Sequence, residues 1–209
     1  MTPISCALVS LAAYLCGSIP TGFLVARARG VDIRSVGSGN IGATNVFRIL
    51  GKRLGIFVLL ADAAKGALPV LVLPRLLAPH DADPTPFALL AGVAAVLGHN
   101  FTCWLRFKGG KGIATSAGVL AAWAPLPFLA TLGTFGVVLA ASRYVSLASI
   151  LAAATLPFAM AFLPPRDRRL VLISSILAVL AIARHHANIR RLLNGTERRI
   201  GSSAPSPNA

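Results

Sequence analysis

From Thr2 to Ala26 the chain carries no charged side chain. A run of about 25 apolar residues is long enough, as an α-helix, to cross the hydrocarbon core of a bilayer. Backbone that crosses lipid must satisfy its own hydrogen bonds, so such runs are restricted to helix. Further runs follow from Leu54 to Leu77, Pro84 to Leu105, Gly112 to Ser142, Tyr144 to Pro165 and Leu170 to Ile189. The fold class this predicts is an all-α integral membrane protein. Composition agrees: 56% of the 209 residues are hydrophobic and 12% are charged, about half the charged fraction of a soluble domain. The first run lacks a basic leader and is too long for a secretory signal, so it reads as a span. The pattern predicts one transmembrane domain over residues 1–200, with a Ser/Pro-rich, disordered tail over 201–209.

The stretch from Gly112 to Ser142 decides the topology. Trp123, Pro125 and Pro127 mark a reversal in its middle. The part before the reversal, Gly112 to Ala122, is 11 residues, roughly 16 Å of helix at about 1.5 Å per residue. Counted as a short or tilted crossing, it gives seven transmembrane helices, with the N-terminus outside and the C-terminus cytoplasmic. With that orientation 15 basic residues lie in the inner segments and 4 in the outer ones, Lys65 being inside the membrane. This is the bias expected of cytoplasmic loops. A single crossing would instead put the basic C-terminal segment outside.

The net charge of +14 points to anionic partners. Basic residues sit in short loops between apolar runs, without the basic stripe and spaced aromatics of nucleic-acid binding, so lipid and phosphate are favoured and nucleic acid is not. Cys6, Cys16 and Cys103 match no zinc or disulfide spacing and read as small apolar fillers. No metal is expected.

Four polar segments carry candidate chemistry. In Val36-Gly37-Ser38-Gly39-Asn40-Ile41-Gly42-Ala43-Thr44-Asn45, glycines allow backbone N–H groups to converge on an anion. Ser38, Asn40, Thr44 and Asn45 add neutral donors. A helix is expected to start near Thr44, and Arg48 supplies a bidentate grip on phosphate. The second segment, Lys108-Gly109-Gly110-Lys111-Gly112, follows Gly98-His99-Asn100 and sets two lysines among glycines; its spacing is not that of a Walker loop. In the third, Asp62 and Lys65 are three residues apart inside a span, either a structural ion pair or, for Lys65, a further phosphate contact. In the fourth, His185 and Asn188 share a face among Arg184, Arg190 and Arg191. A histidine there is suited to holding or taking a hydroxyl proton, and the asparagine to orienting that hydroxyl.

Taken together, Gly37 to Asn45, Asp62-Ala63-Ala64-Lys65-Gly66, Gly98 to Phe101, Arg106 to Gly112 and His185-His186-Ala187-Asn188-Ile189 resemble the bacterial acyl-phosphate:glycerol-3-phosphate acyltransferases, the PlsY family. The resemblance covers about residues 4–200. It implies a seven-helix enzyme of the bacterial inner membrane with its active site on the cytoplasmic face. The implied reaction moves a fatty acyl group from acyl phosphate to the 1-hydroxyl of sn-glycerol 3-phosphate. The products are lysophosphatidate and phosphate, the first acylation of phospholipid synthesis. No cofactor, acyl-CoA or acyl carrier protein is implied. A soluble enzyme that makes acyl phosphate is a candidate partner.

Carried over by motif, Ser38 and Arg48 are essential and hold the donor phosphate with Asn40. Lys108, Gly109, Gly110, Lys111 and Gly112 bind glycerol 3-phosphate or the leaving phosphate. His185 and Asn188 position the acceptor hydroxyl, whose proton goes to His185 or to the donor phosphate. Glu197 matches a structural glutamate of the family. Two other classes remain: an organic-phosphate transporter, against which the lack of an inverted repeat counts, and a structural membrane scaffold.

Overall fold

The computed structural model describes residues 2–201; the tail expected to be disordered lies, from residue 202, outside the described residues. Among the described residues all regular structure is helical. The helices are α1 (Pro3–Ser18), α2 (Thr21–Arg27), α3 (Ala43–Leu50), α4 (Lys52–Leu77), α5 (Thr85–Asn100), α6 (Ile113–Trp123), α7 (Pro125–Ser142), α8 (Val145–Phe162), α9 (Arg168–Arg184) and α10 (His186–Leu193), with a 3-10 turn at Cys103–Leu105.

Five stretches are long and apolar enough to cross a membrane: Pro3–Arg27, Lys52–Leu77, Thr85–Leu105, Pro125–Ser142 and Val145–Phe162. A sixth is formed if α9 and α10, which meet at 56°, count as one bent span. The apolar helix α6 is shorter. The expected reversal falls at Ala124, between α6 and α7. The first span is interrupted at Ile19 and Pro20, between α1 and α2.

The chain divides into two compact units, Met1–Phe128 and the remainder from Leu129. In the first unit α4 is the hub, packed against α1, α2, α3, α5 and α6. Small residues set how closely these helices approach. A Cβ on Gly118 of α6 would collide with Ala63 O of α4, and one on Gly66 of α4 would collide with Thr115 O of α6. Gly17 and Gly98 play the same part between α1 and α5, against Ala95 O and Tyr14 O. In lipid, where apolar side chains gain nothing by leaving the solvent, such close backbone packing is what holds helices together. In the second unit α8 packs on α9, and α10 touches both.

The breaks in the first unit are closed by side chains. At the end of α1, Lys65 donates to Ile19 O at 2.6 Å. Thr102 donates to Ser18 O at 2.5 Å and Trp104 to Ser18 Oγ at 3.0 Å. At the end of α5, Tyr14 donates to Phe101 O at 2.7 Å. Lys65 and Asp62 are 6% and 2% exposed. The Lys65 ammonium lies 2.8 Å from Asp62 Oδ1, so its charge is neutralised where it is buried.

Lys65→Met would leave both the Asp62 carboxylate and Ile19 O without their cation. Its expected cost is about 3–5 kcal/mol. Asp62→Leu/Lys65→Met, which removes both charges, is expected to unfold at a higher temperature than Lys65→Met alone. Thermal unfolding of the detergent-solubilised variants checks the order.

Candidate active site

The first glycine segment folds as a loop over the start of α3. Gly37 and Gly39 have φ of 64° and 68°, a region that side chains with a Cβ rarely enter. The loop is held from below by one residue. Asn45, 2% exposed, accepts from the Ser38 N–H at 3.0 Å and donates to Ile33 O at 3.2 Å and Val36 O at 3.1 Å. Asn45 was expected as a ligand contact; the structure gives its amide to the loop instead. Asn40 turns its Oδ1 onto the Gly42 N–H at 2.9 Å. Ser38 is exposed, and its hydroxyl makes no hydrogen bond among the described residues. α3 begins at Ala43 with Gly42 as its cap, one residue before the expected start. Arg48 lies three residues beyond Asn45, so it continues the face of α3 that carries the loop. Upstream, Arg34 binds Asp32 through two nitrogens at 2.9 and 2.8 Å. These hydrogen bonds hold the Asp32 carboxyl down at about 2.

The second segment lies across the end of α5. Arg106 and Phe107 enter it with φ of 54° and 60°, left-handed values that are costly for residues with a side chain. The Gly109 N–H then donates to Asn100 O at 3.2 Å and the Gly110 N–H to His99 O at 3.1 Å. These two amides therefore bind the loop to α5. A Cβ on Gly109 would collide with His99 O, and one on Gly112 would lie 2.6 Å from Asn100 Oδ1. Gly112, at φ 78°, caps α6, so the loop ends at a helix N-terminus, the end that favours anions. Lys108 is exposed, and its ammonium has no partner among the described residues. Lys111 is half-buried.

Lys65 was expected as a further phosphate contact. Its ammonium faces Asp62 and Ile19 O instead, which is the structural ion pair of the two readings.

In the second unit His185 and Asn188 are both buried, at 3% and 6% exposure. The expected single span bends at His185, which caps α10, while Asn188 occupies its first turn. Cap and third helical residue approach each other across a first turn, so the pair stays together despite the bend. His185 Nδ1 lies 2.7 Å from Ala181 O. A carbonyl only accepts, so Nδ1 carries the proton, and in the neutral ring Nε2 holds the lone pair. No such orienting partner is visible in the sequence, because it is a backbone atom one turn back.

Glu197 is a second feature that spacing does not reveal. Its Oε1 accepts from Ser146 Oγ at 2.8 Å and Asn188 Nδ2 at 2.7 Å, and its Oε2 from Arg191 Nε at 2.6 Å. The carboxylate fixes which end of the Asn188 amide faces away from it, and it brings in Ser146. Burial pushes the Glu197 carboxyl up, but the hydrogen bonds from Asn188, Arg191 and Ser146 more than reverse this and hold it below the usual range. Among the described residues no group of three or more His, Cys, Asp or Glu side chains is placed to hold a metal.

This fold, with rigid glycine-built loops bearing a serine, an arginine and lysines, is that of a multi-pass membrane protein equipped to handle anions. The profile of the glycerol-3-phosphate acyltransferase family matches residues 7–195. A glycerol-3-phosphate acyltransferase of Geotalea daltonii is 52% identical over 187 residues, covering 90% of this chain and 93% of its own length. One from Geobacter sulfurreducens is 50% identical over 195 residues, covering 92% and 96%. The crystal structure of PlsY (YgiH), an integral membrane glycerol 3-phosphate acyltransferase, is similar in its glycerol 3-phosphate form, with TM-score 0.85 and 39% identity over 94% of this chain and 96% of that one. Its lysophosphatidic acid form gives TM-score 0.83 and 38% identity over the same shares. The chain belongs to the glycerol-3-phosphate acyltransferase family. It is an acyltransferase embedded in a membrane by several helices.

Glu197→Ala is expected to lower stability by about 2–4 kcal/mol, since it leaves three donors without their charged acceptor. Because the folded carboxyl titrates below its unfolded value, its contribution is complete above the ordinary carboxylate range. It is lost as pH falls through the folded value. Thermal unfolding of wild type and Glu197→Ala between neutral and acid pH checks both: the gap between them should close on acidification.

Proposed function

We propose that the protein transfers a fatty acyl group from acyl phosphate to the 1-hydroxyl of sn-glycerol 3-phosphate, giving lysophosphatidate and phosphate. What carries the reading is the exposed Ser38 on a loop locked by Asn45, with Arg48 on the same face of α3. The glycerol 3-phosphate form of the related crystal structure supports the acceptor.

Ser38, Asn40 and Arg48 hold the donor phosphate. Arg48 supplies the charge and Ser38 a hydroxyl donor. Lys108, Lys111 and the N-terminal end of α6 at Gly112 hold the phosphate of the acceptor, while Gly109 and Gly110 give the loop its shape. Asn188, its amide fixed by Glu197, orients the acceptor hydroxyl beside His185. The hydroxyl oxygen attacks the acyl carbonyl carbon. The bond from that carbon to the phosphate oxygen breaks, and phosphate leaves with the bonding electrons. The hydroxyl proton passes to His185 Nε2, the nitrogen left basic by the contact with Ala181 O, and from there to phosphate or water. A mixed anhydride is already activated, so positioning and charge stabilisation supply most of the catalysis.

The acyl chain stays in lipid while both phosphates stay at the wet face. The topology that goes with this has seven crossings, with α6 as a short one and α9–α10 as a bent one. The N-terminus is outside and the loops are cytoplasmic, in a bacterial inner membrane. The 15 to 4 asymmetry of basic residues supports it. The donor is delivered by a soluble enzyme that makes acyl phosphate.

Purified protein given acyl phosphate and labelled glycerol 3-phosphate is expected to form lysophosphatidate, and to form none from acyl-CoA. Arg48→Ala should lower kcat/KM by about a hundredfold or more, the worth of one charged contact in a dry site. Activity with acyl-CoA alone, or wild-type kinetics in Arg48→Ala, would count against the donor and its site.

A further inference from the structure

Beneath the Lys108–Gly112 loop lies a side chain with no part in the reaction just described. His99 is 4% exposed at the end of α5. One edge of its ring faces α4, where Nδ1 lies 4.0 Å from Asp62 Oδ1, the oxygen that also meets Lys65. The other edge supports the loop. A Cβ added to Gly110 would overlap His99 Nε2 and lie 3.0 Å from its Cε1 and 3.1 Å from its Cδ2. The same residue's carbonyl accepts the Gly110 N–H at 3.1 Å. Gly110 is thus gripped twice by His99, through its amide and through its Cα.

We infer that His99 is a positioning residue for acceptor binding: its buried imidazole, whose edge lies against Gly110, sets the height and twist of that residue and so the placement of Lys108 and Lys111. This rests on the reading that the loop holds the phosphate of glycerol 3-phosphate. The two backbone bonds at Gly109 and Gly110 fix where the loop meets α5. The ring edge gives a reason for glycine at 110 that is separate from backbone freedom, since Gly110 is not among the glycines with positive φ. What is required there is the missing Cβ.

The test uses the full-length enzyme in detergent or bilayer, with acyl phosphate and glycerol 3-phosphate varied in turn. His99→Asn keeps a polar group near the Nδ1 position and removes the edge under Gly110; His99→Gln keeps reach toward Gly110. The expected result is a rise of about tenfold or more in KM for glycerol 3-phosphate in His99→Asn, as for a small misplacement of binding groups. The KM for acyl phosphate and kcat should move less than about twofold, and His99→Gln should be the milder variant. Gly110→Ala, which pushes on the ring, should raise the same KM. His99→Asn/Gly110→Ala, which gives the added methyl room, should show less than the product of the two defects.

Multiplying defects, equal changes in both KM values, or an unchanged KM for glycerol 3-phosphate in a folded His99→Asn would overturn the inference. If Lys108→Ala and Lys111→Ala also leave that KM unchanged, the loop assignment falls, and the inference with it. If they raise it while the His99 variants do not, the inference alone falls. Unfolding temperatures of all variants separate loss of fold from loss of acceptor affinity.

Discussion

A carbonyl released from a helix inside a bilayer has no water to turn to and must find a donor in the protein. At the break between α1 and α2, Ile19 O accepts from the Thr21 N–H at 3.0 Å and from an ammonium, Lys65, at 2.6 Å. The ammonium brings a second requirement, because a cation buried to 6% exposure needs an anion. Asp62, one turn back on α4, supplies it at 2.8 Å. The pair thus ties the break in the first span to α4. His99, whose ring lies against Gly110, has its Nδ1 4.0 Å from the same carboxylate.

The candidate site repeats this logic. At three places where the chain leaves regular helix, side chains fix the departing segment. Asn45 ties three residues of the first loop to α3. Thr102, Trp104 and Tyr14 tie the end of α5 to α1. Glu197 gathers Ser146, Asn188 and Arg191 after α10. Each is a polar residue used for shape. Those that remain exposed, such as Ser38 and Lys108, are held on loops that cannot relax. Positive φ at Arg106 and Phe107 fits this picture, since strained backbone persists only where its surroundings over-determine it.

Much of this was legible in advance. The candidate spans followed from apolar runs, the reversal between α6 and α7 from Trp123, Pro125 and Pro127, and the start of α3 from the glycine-to-threonine transition. The two glycine loops stood out because glycine, lysine and serine are rare company between apolar runs. The division of labour within them did not. Asn45 and Lys65 have the chemistry of phosphate ligands, and so do the amides of Gly109 and Gly110. The structure gives all four to internal partners. A donor looks the same in sequence whether it faces a ligand or a carbonyl. The resemblance marked Glu197 as structural but not which groups it holds, and the Ala181 carbonyl that orients His185 was hidden because it is backbone.

The sequence by itself determined the class of fold, the order of the spans and the segments where chemistry gathers, because hydropathy and charge act locally and each run must meet lipid or water on its own account. Only the tertiary structure decided which polar atoms hold the frame. That depends on which groups from remote segments arrive within about 3 Å, the reach of a hydrogen bond. Such distances are set by helix packing, here by glycines such as Gly66 and Gly118 that let α4 and α6 touch backbone to backbone.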